Sequence, residues 1–244
     1  MNYALFDLLA VALPAALLLR GVPGRRVLVA PGAALSTLAL LWTTPWDDHL
    51  VRTGVWSYDP AQVIGRIGSI PVEEYAFVVL EVMFVGAWAL RSGAVPLAPA
   101  AHADIGCRRR GALAWVAVAA TGLLLLLVWV GPPLALQQLV AGDVLTARRR
   151  IRLRIVLPTA LWLCAADRLA LAAGVWTISP GSSTGLALVG LPIEEALFFV
   201  LTCLLVTDGL LLAADPVVLR RVMPTPARSC LGAQIVGVLP QPPL

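Results

Sequence analysis

The chain has 244 residues, of which 59% are hydrophobic and 13% charged, with a mean hydropathy of +0.88. Ordinary soluble domains carry roughly 25% charged residues, so this composition excludes a soluble globular protein and points to an integral membrane protein. The net charge of +4 comes from 18 basic residues, all arginine, set in short loops between apolar stretches; membrane orientation accounts for them, and no nucleic-acid partner is implied.

A first apolar span is expected over about Tyr3–Leu19, interrupted by Pro14. It has no basic segment before it and no small-residue cleavage site after it, so it reads as a retained span and not a signal peptide. A second span runs from about Val27 to Trp46 and ends in Asp47-Asp48. A polar loop with Gly54-Val55-Trp56 and Pro60 follows, and a third span opens at Pro71, whose missing N–H suits a first helical turn, and ends near Leu90. Residues 91–110 form a linker with Pro96, Pro99 and the run Arg108–Arg110.

Beyond it, Ala112–Val130 is expected to cross and to be stopped by Gly131-Pro132-Pro133. Leu134–Ala147 is a weaker candidate, with Gln137, Gln138 and Asp143 in about 14 residues where about 20 are usual. After the arginines of 148–154, a span over Ile155–Ala173 carries Asp167, a loop repeats Gly174-Val175-Trp176, and the last strong span covers Leu191–Ala214. The proline-rich tail is expected to be loosely ordered. Cys107, Cys164, Cys203 and Cys230 form no C-x-x-C pair and have only His49 and His102 to help them, so neither a zinc site nor a disulfide framework is indicated.

The chain repeats itself. At an offset of 120, Trp42 matches Trp162, Asp47 matches Asp167, Gly54-Val55-Trp56 matches Gly174-Val175-Trp176 and Pro60 matches Pro180. At 121, Pro71-Val72-Glu73-Glu74 matches Pro192-Ile193-Glu194-Glu195, and Phe77 matches Phe198. The fold expected is an all-α integral membrane protein, a tandem repeat of a three-helix transmembrane unit. The first unit covers 1–92, a linker with a connecting span 93–132, the second unit 133–215 and a tail 216–244. Seven spans arranged three, one, three put every arginine-rich loop on one side and both acidic ends on the other, in a multi-pass protein of the cell membrane. Six spans, the alternative, invert the second unit.

Carboxylates at the mouth of a membrane span are costly, about 2.5–3.5 kcal/mol at a helix centre, so two copies of a Glu-Glu pair argue for function. Capping of the helix N-terminus is the simpler role such residues can play. A carboxylic acid shielded from water can stay protonated and act as an acid while an ionised neighbour stabilises a cation. The aromatic faces of Trp56, Trp176, Tyr75, Phe77, Phe198 and Phe199 would bind an apolar substrate, and aromatic faces attract positive charge. The set suits acid-initiated carbocation chemistry; no GxGxxG or GxxxxGK[ST] supports nucleotide binding.

The repeated Pro-x-Glu-Glu motif and its following phenylalanine resemble the lycopene cyclase domain found as two bacterial subunits or as one fused chain in fungi, over about residues 3–90 and 133–214. The resemblance implies a redox-neutral reaction without a cofactor or metal, in which a proton adds to the terminal double bond of a ψ end group and is lost again once an ionone ring has closed. It implies a linear carotenoid substrate dissolved in the bilayer, lycopene or a C50 relative, and other carotenoid enzymes as neighbours. Glu73, Glu74, Glu194 and Glu195 become candidates for proton donor and cation stabiliser, with Asp47 and Asp167 in support, Asp167 partly neutralised by Arg168. A proton-coupled transporter would instead show Gly- or Pro-broken helices at matching places, and Pro14 and Pro158 do not match. A non-catalytic membrane subunit of a carotenoid-enzyme complex is the third reading.

Overall fold

The computed structural model describes residues 2–95, 105–120 and 125–222. Cys230, His102, the linker prolines Pro96 and Pro99 and the tail beyond Val222 lie outside these residues. The leading rod joins α1 (Tyr3–Phe6), a π segment (Asp7–Ala12) and α2 (Leu13–Leu19). A 3₁₀ turn (Arg25–Leu28) leads to α3 (Val29–Arg52), then β1 (Trp56–Tyr58), a 3₁₀ turn (Pro60–Gln62), a two-residue hairpin of β2 (Arg66–Ile67) and β3 (Ile70–Pro71), and α4 (Val72–Arg91). After α5 (Ile105–Ala120) and α6 (Leu125–Ala147), the series recurs as α7 (Arg149–Ala172), β4 (Trp176–Ile178), a 3₁₀ turn (Pro180–Ser182), β5 (Ala187–Leu188), β6 (Leu191–Pro192) and α8 (Ile193–Ala214). A short α9 (Pro216–Val222) follows.

Among the described residues three helical stretches, Arg25–Arg52, Arg149–Ala172 and Ile193–Ala214, are long and apolar enough to cross a membrane by length and composition. Leu41, Leu161 and Leu169 stand exposed on two of them, as lipid-facing side chains would. α4 and α8 occupy the centre, packed on each other, with α2, α3 and α7 around α4 and α3, α6 and α7 around α8. Where α4 meets α8, Thr202 Oγ1 donates to Glu81 Oε1 at 2.6 Å, and these two residues are counterparts at the repeat offset of 121.

Several expected boundaries change. α3 does not end at Trp46 but runs on to Arg52, with Pro45 inside it and an Asp48–Arg52 ion pair one turn apart at 2.9 Å. Asp47 therefore sits within the helix and turns inward. Pro71 belongs to the hairpin and caps α4 from outside its first turn. The expected span Ala112–Val130 is divided between α5 and α6, which pack antiparallel: Cys107 Sγ meets Thr146 Oγ1 at 3.4 Å, and Gly111 and Gly142 both abut Gln138, whose Oε1 would lie 2.6 and 2.7 Å from an added Cβ. Position 133, the expected start of the second unit, falls inside α6. The first part of the tail is helical and anchored: Arg148 pairs with Asp215 at 2.5 Å, and Arg221 clamps Asp143 through two bonds of 2.7 and 2.8 Å. Arg152 grips Asp208 likewise at 2.6 and 2.7 Å, so the arginines of 148–154 are partly matched by buried acids.

Proline explains how α6 continues through Pro132 and Pro133. A helical proline leaves the carbonyl four residues earlier without its N–H donor. For Pro133 that carbonyl belongs to Trp129, and the Trp42 indole donates to it at 3.3 Å; for Pro14 it belongs to Ala10, and Trp162 donates at 2.7 Å. Trp42 and Trp162 are counterparts, each serving the leading helix of the other unit. Pro14 thus matches Pro133 and not Pro158. Their offset is 119, one below that of the motifs downstream, because the second unit has 29 positions from Pro133 to Trp162 where the first has 28 from Pro14 to Trp42.

The two Gly-Val-Trp loops pair directly. β1 and β4 run antiparallel with Trp56 opposite Ile178, Ser57 opposite Thr177 and Tyr58 opposite Trp176. Each tight hairpin is held from the preceding helix by a different bond: Asp48 Oδ1 accepts from the Ser69 hydroxyl (2.5 Å) and N–H (3.2 Å), whereas Arg168 Nε donates to the Val189 carbonyl at 3.3 Å. Arg168 is thereby committed to the hairpin and makes no pair with Asp167, contrary to expectation.

Candidate active site

Beneath the paired loops lies a narrow cavity, about 380 Å³ including its mouth, where the first turns of α4 and α8 meet. Its walls carry Glu74 and Glu195, Phe77, Phe198 and Phe199, the indoles of Trp56 and Trp176, and the phenols of Tyr3 and Tyr58. The rings interlock: Phe198 meets Phe199 edge-on at 5.2 Å, Phe77 meets Phe199 at 6.2 Å, and Trp56 meets Phe198 at 6.2 Å. These contacts surround the two carboxyl groups with aromatic carbon.

The second glutamate of each pair faces this cavity, because adjacent helical residues diverge by about 100°. Glu195 is 7% exposed; Glu74 is half-buried, and its accessible surface opens into the cavity it lines. They are close enough to interact electrostatically across the pairing of the units. Asp47 stands behind Glu74 and Asp167 behind Glu195 in the same manner, each deep in its helix at 5% and 0% exposure. Neither Asp167 oxygen makes a hydrogen bond of ordinary geometry; the Trp176 side chain is its polar neighbour.

The first glutamates have another task. Glu73 Oε1 accepts the Ile64 N–H at 2.6 Å, and Glu194 Oε1 accepts the Thr184 N–H at 2.6 Å, so both bind the loop that precedes their own helix. Tyr75 also turns away, its hydroxyl donating to the Ile67 carbonyl at 3.2 Å.

Three residues enter the site that the repeat pattern did not single out. Tyr3 and Tyr58 both donate to Glu74 Oε2, at 2.6 and 2.8 Å, and stack on each other at 5.9 Å. Burial, and then the Glu74 carboxylate beside it, raise the Tyr58 phenol well above its ordinary pKa, so it remains a neutral donor. Asp7, on the π segment, is 5% exposed with Oδ1 unpartnered, and interacts electrostatically with Glu74 and Glu73. The signal that marks Tyr3 and Asp7 in the sequence is their spacing of four, which puts both on one face of the leading helix. Tyr58 has Ile178 as its counterpart at the repeat offset of 120, so a search for matched residues passes over it.

The units are thus unequal in hydrogen bonding. Glu74 receives two phenols, whereas Glu195 has the Trp56 indole as its polar side-chain neighbour. Among the described residues no group of three or more His, Cys, Asp and Glu is arranged to hold a metal ion.

No solved structure is significantly similar to the chain. A lycopene cyclase of Halobacterium salinarum, named lycopene beta-cyclase, is 40% identical over 233 residues, covering 88% of this chain and 97% of that protein. Fungal bifunctional lycopene cyclase/phytoene synthases are also similar: that of Leptosphaeria maculans is 36% identical over 212 residues, 72% of this chain, and that of Pyrenophora tritici-repentis 32% over 249, 84% of this chain. This chain matches 35% and 42% of the lengths of those two larger proteins. The lycopene cyclase family model matches residues 1–89 and 113–209, which include both Glu-Glu motifs and both paired loops, and the chain belongs to that family.

Proposed function

We propose that this protein is a membrane-embedded carotenoid cyclase that closes the ψ end groups of lycopene, or of a longer linear carotenoid, into ionone rings. The observation that carries the reading is the meeting of Glu74 and Glu195 in an aromatic cavity at the mouth of two apolar helices. Ring closure requires a proton added to the terminal double bond, a tertiary cation captured by the next double bond, and a proton removed; atoms and charge balance without a redox partner. Glu195 is assigned the proton donor. Glu74, with two phenols directed at one oxygen, is assigned the carboxylate that stabilises the cation and takes the departing proton, since ionised carboxylates accept only. The faces of Phe77, Phe198, Phe199 and the two indoles hold positive charge between them. Asp47 and Asp167 back the two glutamates and return protons between turnovers.

Seven spans arranged three, one, three are the topology that best fits this chemistry. Paired Gly-Val-Trp loops require the same end of each unit on the same membrane face, and a connecting helix, α5, restores the direction of the chain. The arginine-rich ends then lie together on the opposite face, in a multi-pass membrane protein.

The matched prolines Pro14 and Pro133 favour a carrier as the second reading, since paired broken helices are a transporter feature. Their freed carbonyls are taken by Trp162 and Trp42, and neither Ala10 nor Trp129 lines the acid cavity, which argues for the cyclase. The test is expression in cells that accumulate lycopene, with product analysis by chromatography. The chain is expected to form rings and Glu195→Gln to abolish them with the protein still in the membrane; undiminished ring formation by Glu195→Gln together with Glu74→Gln would end the assignment.

A further inference from the structure

The cavity adjoins a larger cleft on the second unit's side. This cleft, about 1300 Å³ with its open side, shares Trp56, Glu195 and Phe198 with the acid cavity. One wall is apolar, formed by Trp46, Leu50, Val55 and Leu126, and the facing wall is the loop Gly181–Thr184. On the other side of the pseudo-symmetric site the corresponding space is filled. Phe6 packs against Trp176 at 5.0 Å and Phe77 at 6.3 Å, and Tyr3 lies 5.1 Å from Trp176 with its hydroxyl on Glu74. Both rings are buried, at 1% and 2% exposure. The π segment adds one residue to the first leading rod, so ahead of it the offset rises from the 119 of Pro14 and Pro133 to 120, which places Leu126 where the first unit has Phe6. A branched aliphatic side chain in place of a ring leaves the space open.

Resting on the cyclase reading, we infer that the cleft between Leu126 and the Gly181–Thr184 loop is the seat of the substrate's polyene arm. The protein therefore holds one end group at a time and admits it from the second unit's side. The occupant follows from continuity and chemistry. An end group in the acid cavity must have its conjugated chain leave through an opening that touches the cavity wall, and the cleft does so at Phe198 with an apolar lining. Tyr3 and Phe6 stop the equivalent exit. A substrate with two reactive ends must then withdraw and re-enter reversed to gain a second ring, so a one-ring product is released on the way to the two-ring product.

The two sides are compared by blocking each. Gly181 and Ala61 are exposed counterparts at an offset of 120, and a Cβ at Gly181 meets nothing nearer than Ser179 Oγ at 3.9 Å, so Gly181→Cys is accommodated. The full chain with Gly181→Cys, with Ser182→Cys on the same wall, or with Ala61→Cys is placed in lycopene-containing liposomes. The cyclisation rate is measured before and after reaction with a polyethylene-glycol maleimide, the unsubstituted chain treated likewise giving the baseline for its native cysteines. Labelling is expected to slow G181C and S182C at least tenfold and to leave A61C within twofold, with lycopene retarding the labelling of G181C. Equal effects on both sides, or full rates from labelled G181C and S182C, overturn the inference while leaving the cyclase reading intact. An unsubstituted chain that forms no rings overturns both.

Discussion

The Ser57 hydroxyl oxygen lies 2.6 Å from Thr177 Oγ1, and the two residues are 120 positions apart, the repeat offset itself. A residue that meets its own counterpart marks the axis relating the two units, and Glu81 with Thr202 marks it again at mid-helix. Directly opposed residues of an antiparallel pair have Cα atoms about 4.5–5.5 Å apart, within disulfide range. Ser57→Cys with Thr177→Cys is therefore expected to cross-link under mild oxidation, detected by mass spectrometry of the digested protein, and neither single substitution is expected to give that bridge. Absence of the cross-link in folded protein would contradict the same-face arrangement of the loops.

The two glutamates of each motif are expected to separate in mutagenesis. Glu73 and Glu194 bind loop N–H groups, so Glu73→Gln and Glu194→Gln keep an acceptor oxygen and should reduce activity less than about tenfold, roughly the 1.4 kcal/mol scale of a weakened hydrogen bond. Glu195→Gln removes the proton donor and should cost about 100-fold or more, in line with general acid catalysis. Initial rates at equal protein levels in the membrane decide this, and a Glu194→Gln loss matching that of Glu195→Gln would refute the division.

Tyr58→Phe deletes one of two donors to Glu74 Oε2 and should lower the cyclisation rate about tenfold; with Tyr3→Phe added the loss should deepen. Because burial and the neighbouring carboxylate hold the Tyr58 phenol above its usual pKa, it stays protonated from neutral to moderately alkaline pH, and the ratio of wild-type to variant rate should be the same at pH 6 and pH 9. A ratio that collapses toward one on the alkaline side would mean that the phenol ionises there.

Much of this site was legible because duplication doubles a weak signal. A single Pro-x-Glu-Glu is compatible with a helix cap, but its recurrence beside Gly-Val-Trp and an aspartate pointed to the cavity walls that Glu74, Glu195, Trp56 and Trp176 form. The same reliance on matching concealed Tyr3 and Asp7, whose positions in the second unit's sequence are occupied by leucines, and Tyr58, whose counterpart is Ile178. It also could not divide labour within a Glu-Glu pair, since that depends on where loop N–H groups at Ile64 and Thr184 fall. Proline was read as a stop at Pro132-Pro133 because its rescue is tertiary: the donor to the Trp129 carbonyl is Trp42, 87 residues away. Arg168 looked like a partial neutraliser of Asp167, whereas it and Asp48 each hold a hairpin, by opposite hydrogen-bond polarity.

The hairpin at Val189 offers a stability test. Val189 has φ +53° and is followed by Gly190 at φ +77°, a turn with both central residues left-handed, where a β-branched side chain is strained. Val189 is exposed and lines neither the acid cavity nor the cleft. Val189→Asn should relieve about 1 kcal/mol and raise Tm in detergent by about 2–4 °C, with cyclisation unchanged. A fall in Tm would show that the turn is not left-handed at this position.

Asp7 presents the opposite trade. It is buried on the leading helix with one oxygen unpartnered, and its position in the second unit is occupied by Leu127. An uncompensated carboxyl there costs roughly 1–3 kcal/mol, so a protein selected for stability alone would have leucine in both units. It stands next to Glu73 and Glu74, on a π segment of the kind frequent at functional sites, where a group that exchanges protons with Glu74 is expected. Asp7→Leu is accordingly expected to raise Tm while lowering the cyclisation rate at least tenfold, and Asp7→Glu to recover part of that rate. Loss of stability and activity together, with no recovery by glutamate, would make Asp7 a packing residue and leave Glu74 to exchange its proton through Asp47 alone.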